Sequence, residues 1–343
     1  MKQLVSILIP AFNAEKWIRD CIESALAQTW PWKEIIVVDD GSRDATLGIA
    51  RSCVSPNVQV IVQENRGASA ARNHALSLAQ GDYIQWLDAD DLLAPNKVAR
   101  QLKDAEPGQT SRVLLSGAWG KFYRRPERSQ FMPSPLWEDL EPTEWLLRKV
   151  DQNLWMPPMS WLVSRWLTKM AGGWNENLSL DDDGEYFCRI LSCSSRIRFI
   201  REAQCFKRST FGLSHDLTLN DCKLDSLSIS LLSYIQRLRT MEDSPRTRAA
   251  CLKFLNRWTI YFYPERPDIV HRMQLTAKEL GEGLASPRLR PKYQWLQKIF
   301  GWSIAKKAQY RLPALRSLAE GSWERLLWFL PVGKVGAVRN HST

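Results

Sequence analysis

Three short acidic runs hold the residue types best suited to chemistry. Asp88-Ala89-Asp90-Asp91 gathers hard carboxylate oxygens, the donors that Mg2+ and Mn2+ prefer. Two aspartates one residue apart at a strand end can put one carboxylate on a cation and the other on a ribose or a metal-bound water. Asp39-Asp40-Gly41-Ser42 offers an acceptor for the imide N–H of uracil. Asp181-Asp182-Asp183-Gly184-Glu185 offers a carboxylate whose pKa its acidic neighbours tune. Such a group can take the proton from an attacking hydroxyl, and Arg189 is close enough in sequence to orient it. Each run also has a plain structural explanation. Asp91 can cap a helix that starts at Pro95, Asp39 can make an Asx turn, and 181–185 can be an acidic loop opening a helix. Residue type alone leaves both explanations standing.

The elements that must position these runs are legible in the hydrophobic pattern. Residues 5–9 form an apolar run broken only by Ser6, the mark of a strand buried on both faces. Ile18, Cys21, Ile22, Ala25 and Leu26 then recur at helical spacing within 15–28. Further strands are expected at 34–38, 58–62, 83–87 and 113–116. Between them fall a helix capped by Asp44 or Thr46 and ending near Ser52, one over 69–79 closed by Gly81, and one from Pro95 to about Asp104. This alternation predicts a mostly parallel sheet with helices on both faces. Ligands of such sheets bind beyond the carboxyl ends of the strands. The residues there are 10–13, 39–42, 63–67 and 88–91, so these polar loops are expected around one crevice. No GxGxxG follows the first strand and no GxxxxGK[ST] occurs, which removes the dinucleotide and P-loop fingerprints.

Taken together, Ile7-Leu8-Ile9-Pro10-Ala11-Phe12-Asn13, Ile35-Ile36-Val37-Val38-Asp39-Asp40-Gly41-Ser42, Asn65-Arg66-Gly67 with Ala71-Arg72-Asn73, and Gly81-Asp82-Tyr83-Ile84 with Leu87-Asp88-Ala89-Asp90-Asp91 resemble the inverting family-two glycosyltransferases of GT-A fold. Gly172-Gly173-Trp174, Asp182-Asp183 and Arg189 carry the likeness to about residue 190. The resemblance implies a Rossmann-like sheet and transfer of a sugar from a nucleoside diphosphate, usually UDP, to a hydroxyl. Pro10, Ala11, Phe12, Asn13, Asp40, Arg72 and Asp88 would bind the nucleotide-sugar. Asp90, with Asp88, would hold Mn2+ or Mg2+. Asp183 would be the base, with Asp182 standing where the family usually has Glu. His215 is a further candidate metal ligand.

Composition bounds the rest. The 343 residues give room for about two domains, expected as 1–215, catalytic, and 216–343, helical. From Asn220 onward there are 21 Lys or Arg against 10 Asp or Glu, which more than accounts for the net charge of +10. Trp295, Phe300, Trp302, Trp323, Trp328 and Phe329 interleave with those cations. That pattern suits a membrane interface facing a lipid-linked acceptor, or a packing domain with a solvated basic face. No nucleic-acid motif accompanies it. Seven cysteines with no CxxC pair read as reduced thiols in a cytosol. The apolar start reads as a buried strand rather than a signal peptide, and no apolar stretch is long enough to span a bilayer. A glycan or lipid-linked glycan acceptor is expected, in polysaccharide or glycoconjugate synthesis at the cytoplasmic face. The rival readings are a sugar-phosphate nucleotidyltransferase, which lacks its Gly-rich basic loop here, and a non-catalytic nucleotide-sugar binder, against which the intact acidic runs argue.

Overall fold

The apolar run after Leu4 forms β1 (Val5–Ala11), buried at every position. Its side chains alternate between two cores, as the pleat of a strand requires. Val5, Ile7 and Ile9 join Ile18, Cys21 and Ile22 in one core, while Leu8 joins Ala71 and Ala75 in the other. In this computed structural model the described residues are 3–103, 110–209 and 220–327.

The first half alternates as the pattern predicts: α1 (Ile18–Leu26), β2 (Lys33–Asp39), α2 (Thr46–Ser52), β3 (Val58–Val62), α3 (Ala68–Leu78), β4 (Tyr83–Trp86), a two-residue β5 (Leu92–Leu93) and α4 (Lys97–Lys103). The main sheet has the order β3-β2-β1-β4-β8, where β8 is Val163–Ser164. The first four strands are parallel and β8 is antiparallel to β4. The strand expected at 113–116 exists as β6 (Val113–Phe122), but it lies in a second sheet, β5-β9-β6-β7. There it pairs parallel with β9 (Arg196–Arg208) and antiparallel with β7 (Gln130–Phe131). The fifth strand of the main sheet is therefore β8, which a two-residue length hides from any periodicity test.

α5 (Pro142–Gln152), α6 (Arg165–Ala171) and α7 (Asp182–Cys193) complete this region. α8 (Asp221–Met241), α9 (Pro245–Phe262) and α10 (Pro267–Glu279) follow. They share a core with α5 and α7 through Leu146, Val150, Cys188, Leu231, Ile235 and Phe254. Compactness divides the chain elsewhere than at residue 215. One unit holds 1–208 with 219–288, and a second holds 209–218 with 289–343. The second contains α11 (Pro291–Leu327), broken at Gly301, where φ is 78°. Among the described residues no helix is long and apolar enough to cross a membrane.

Candidate active site

Arg72 joins the acidic runs. It lies on α3 and is buried. Its Nη2 donates to Asp88 Oδ1 at 2.9 Å and its Nη1 to Asp182 Oδ2 at 2.7 Å. The guanidinium lies over the Trp174 ring, 4.3 Å from its centre, a cation–π contact. Ser69, one turn earlier, donates to the same Asp182 oxygen at 3.1 Å. The carboxylate after β4 and the acidic start of α7 thus meet on one cation. Asn73, the next residue of α3, exchanges hydrogen bonds with the backbone of Trp174. That explains Gly173, because a Cβ there would stand 2.8 Å from Asn73 Oδ1.

The run 88–91 is not a helix cap. Pairing of Leu92 with Phe206 brings the end of β9 alongside it. Asp91 is fully buried and accepts from Lys207 Nζ and the Arg208 backbone N–H, each at 2.9 Å. Burial pushes its carboxyl up to about 8, against the pull of Lys207. Lys207 Nζ is also 3.7 Å from Asp88 Oδ2. Burial works against ionisation of Asp88, but Arg72 and then Lys207 hold it below the usual range. Asp90 receives no side-chain hydrogen bond from the described residues. Burial raises its pKa and Lys207 opposes this. Lys207 and Arg208 do not stand out in the sequence, although alternation of Arg196 and Arg198 with Ile197 and Phe199 is a usable strand signal.

The two candidate bases differ in their surroundings. Asp182 is pinned by Arg72 and Ser69. Asp183 accepts from Trp155 Nε1 at 3.1 Å and from the Gly184 N–H at 2.8 Å. Burial first, and then the charge of Asp182, raise its pKa. No sequence signal singles out Trp155; it is partly exposed and packs edge-on against Trp119. Arg189 does not orient Asp183. It forms an i,i+4 pair with Glu185 at 2.8 Å and caps the carbonyls of Ala171 and Gly173.

The residues expected to bind the nucleotide are tied to one another largely through backbone groups. Pro10 and Ala11 are buried within β1, leaving Phe12 and Asn13 exposed at its end. Asn13 has φ 49°; its N–H donates to Ser42 Oγ and its Oδ1 accepts from the Arg43 N–H. Asp40 is only 2% exposed. Its carboxylate takes bonds from Gln63 Nε2 and the N–H groups of Arg66 and Gly67 at 2.7–2.9 Å. Three of about four acceptor positions of a carboxylate therefore hold the 63–67 loop, leaving one for a ligand.

Among the described residues no group of three His, Cys, Asp or Glu is placed to hold a metal; His215 lies outside them. The two-carboxylate set Asp88 and Asp90 still fits a small hard cation, which takes one or two carboxylates and completes its shell with substrate phosphates and water. Asp90, with no side-chain donor among the described residues, is the better placed.

Residues 6–149 match the family model described as Glycosyl transferase family 2. Over 99 residues the chain is 44% identical to an uncharacterized glycosyltransferase of Rickettsia typhi, covering 29% of this chain and 31% of that one. Over 97 residues it is 47% identical to chondroitin synthase of Escherichia coli, covering 28% of this chain and 14% of that one. The chain thus spans less than a third of the length of these relatives. Among solved structures, S. aureus TarS 1–349 in complex with UDP-GlcNAc superposes with TM-score 0.62 at 17% identity, covering 94% of this chain and 92% of that one. The mannosyltransferase PcManGT of Pyrobaculum calidifontis, in complex with GDP-Man and Mn2+, superposes with TM-score 0.52 at 16% identity, covering 95% and 88%. Residues 6–149 are thus similar to glycosyl transferase family 2, and the fold is the GT-A fold of these solved structures.

Proposed function

We propose that this protein transfers a sugar, with inversion, from a nucleoside diphosphate, preferably UDP, to a hydroxyl of a glycan or lipid-linked glycan, in polysaccharide or glycoconjugate synthesis. The observation that carries the proposal is the Arg72 bridge between Asp88 and Asp182, which joins the run after β4 to the start of α7 and so supports a shared site for diphosphate and base. The UDP-GlcNAc of TarS and the GDP-Man and Mn2+ of PcManGT support the donor class and the cation.

Asp183 is the base in this reading. Among the described residues it has no ion pair, and its raised pKa strengthens it as a proton acceptor. The acceptor oxygen attacks the anomeric carbon as its proton passes to Asp183, and the bond to the diphosphate breaks with both electrons leaving on the phosphate oxygen. Asp182 positions Arg72, and Arg72 fixes Asp88. Asp90, with Asp88, would hold Mn2+ or Mg2+, whose chemistry is neutralisation of the departing diphosphate. Phe12, Asn13 and the remaining acceptor position of Asp40 face the nucleoside. The test is nucleotide release from a panel of UDP-sugars with Mn2+. Release by the parent, lost in Asp90→Ala and Asp183→Asn, is expected. Binding without turnover in the parent would favour a non-catalytic binder.

We also propose peripheral contact with the cytoplasmic membrane face. Residues 283–319 contain eight Lys or Arg and no Asp or Glu, and Trp295, Ile299, Phe300 and Ile304 on α11 are more than half exposed. Such a segment favours anionic lipid. Sedimentation with phosphatidylglycerol vesicles but not with phosphatidylcholine vesicles is expected, weakened by Trp295→Ser with Phe300→Ser.

A further inference from the structure

α8 lies beyond the family match at 6–149, yet it grips the segment that launches α7. Ser226, Ser230 and Tyr234 recur every fourth residue and so share one face of the helix. All three are buried, at 1%, 0% and 1% exposure. Each bonds to 179–181, the three residues before α7. Ser226 Oγ accepts from the N–H groups of Ser179 and Leu180 at 3.0 and 2.9 Å and donates to Leu180 O at 2.6 Å. That uses its full hydroxyl capacity. Ser230 Oγ donates to Asp181 O at 3.1 Å. Tyr234 Oη donates to Asp181 Oδ2 at 2.6 Å.

Asp181 gains from such support. It holds φ 58° and ψ 29°, a left-handed conformation that is uncommon outside Gly, Asn and Asp and that the bonds from α8 stabilise. Its carbonyl accepts from the Glu185 N–H, so its orientation sets the start of α7. Asp182 and Asp183 occupy the first turn from that point. Gly184 records the closeness of the grip, because a Cβ there would overlap Tyr234 Oη and the Asp181 carboxylate. A helix that needed only to pack could have presented alanine or leucine on this face. The hydroxyls instead fix where the backbone stands and which way it turns.

We infer that Ser226, Ser230 and Tyr234 are positioning residues for the catalytic base, acting through Asp181; this rests on the reading of Asp183 as that base. Because they act on the turn that carries the base and reach the donor side only through Asp182 and Arg72, their loss lowers the chemical step more than donor binding.

The experiment compares Tyr234→Phe and Ser226→Ala with the parent in the full chain, by amide hydrogen exchange and by nucleotide release from the UDP-sugar the parent turns over. Faster exchange at 181–185 with β1 and β2 unchanged is expected, with kcat reduced about tenfold and donor KM within twofold. Exchange and kcat equal to the parent overturn the inference. So does a loss in which KM rises as much as kcat falls and exchange accelerates throughout, since that is general loosening. A parent that releases no nucleotide from any donor overturns the base assignment itself. Failure of the positioning role alone shows as an active parent matched by its variants.

Discussion

Replacing Asp182 and Asp183 one at a time by Asn should separate the two carboxylates by stability as well as by rate. Asp183 is half-buried, and its setting raises its pKa, through desolvation first and the Asp182 charge second. A carboxyl with a raised folded pKa contributes stability at low pH that is lost as pH rises through the folded value. Near neutrality the ionised group is a cost, about 1.4 kcal/mol for each tenfold weakening of its acidity, and the amide removes it. Asp183→Asn should therefore hold or raise the denaturant midpoint at pH 7.5. Loss of the base should lower kcat by roughly 10²–10⁴. Asp182→Asn acts the other way. It breaks the 2.7 Å pair with Arg72, whose side chain is 8% exposed against 20% for Asp182. A broken buried pair can cost about 3–5 kcal/mol, but Arg72 keeps Asp88 and the amide oxygen still accepts, so about 1–2 kcal/mol is expected. With the neighbouring charge gone, the Asp183 pKa falls and the acidic limb of kcat/KM moves to lower pH. The assays are urea unfolding and nucleotide release across pH 5–9. An inactive but destabilised Asp183→Asn beside an active, stabilised Asp182→Asn would refute the assignment and exchange the two roles.

Trp155→Phe should move the acidic limb of kcat/KM to higher pH, because the Trp155 N–H lowers the Asp183 pKa and phenylalanine has no donor; an unchanged profile counts against Asp183. Arg72→Lys keeps one charge but cannot hold two carboxylates in a planar fork, so turnover should fall at least tenfold while the protein still folds by circular dichroism. Lys97 is fully buried with its ammonium on Gln85 and Gln101, and burial lowers its pKa to about 7. The unfolded chain takes up that proton first as pH falls from about 10.5, so Lys97→Met should gain stability relative to the parent from pH 10 down to 7, by up to about 5 kcal/mol, and show a flat difference below that; a difference independent of pH would refute this.

What the sequence discloses here is local, and what it conceals is pairing. The runs 5–9 and 34–38 announce buried strands because both faces of β1 and β2 are covered, so nearly every position is apolar. β9 is legible only in part, because the alternation of Arg196 and Arg198 with Ile197 and Phe199 breaks at Ile200-Arg201. The acidic runs are visible, but their division of labour is not. Asp40 looks like a ligand for a base, yet most of its carboxylate secures 63–67; nothing in Asp-Asp-Gly-Ser says that three donors of a later loop will arrive. Arg189 sits near Asp183 in sequence, but helical geometry directs it to Glu185 one turn away. Arg72 can be named from its motif, while its two partners, at Asp88 and Asp182, are found only by folding.

The same pairings decide what the site must recruit. Asp88, Asp90, Asp91, Asp182 and Asp183 cluster around Arg72, Lys207 and Arg208, five carboxyls against three permanent cations when all are ionised. Burial and mutual repulsion then raise the pKa of Asp90, Asp91 and Asp183. A diphosphate adds further negative charge to a locus already in deficit, and like charges a few ångströms apart in a partly dry setting cost several kcal/mol. Arg72 and Lys207 do not relieve this, since both are committed to carboxylates. The donor must therefore arrive with positive charge of its own or draw protons into the site. A divalent cation on Asp90 would supply two charges without protonating Asp183, which the proposed reaction needs in its ionised form. Protonation would aid donor binding and disable the base together. That conflict, more than the aspartate spacing, is the reason to expect a metal here.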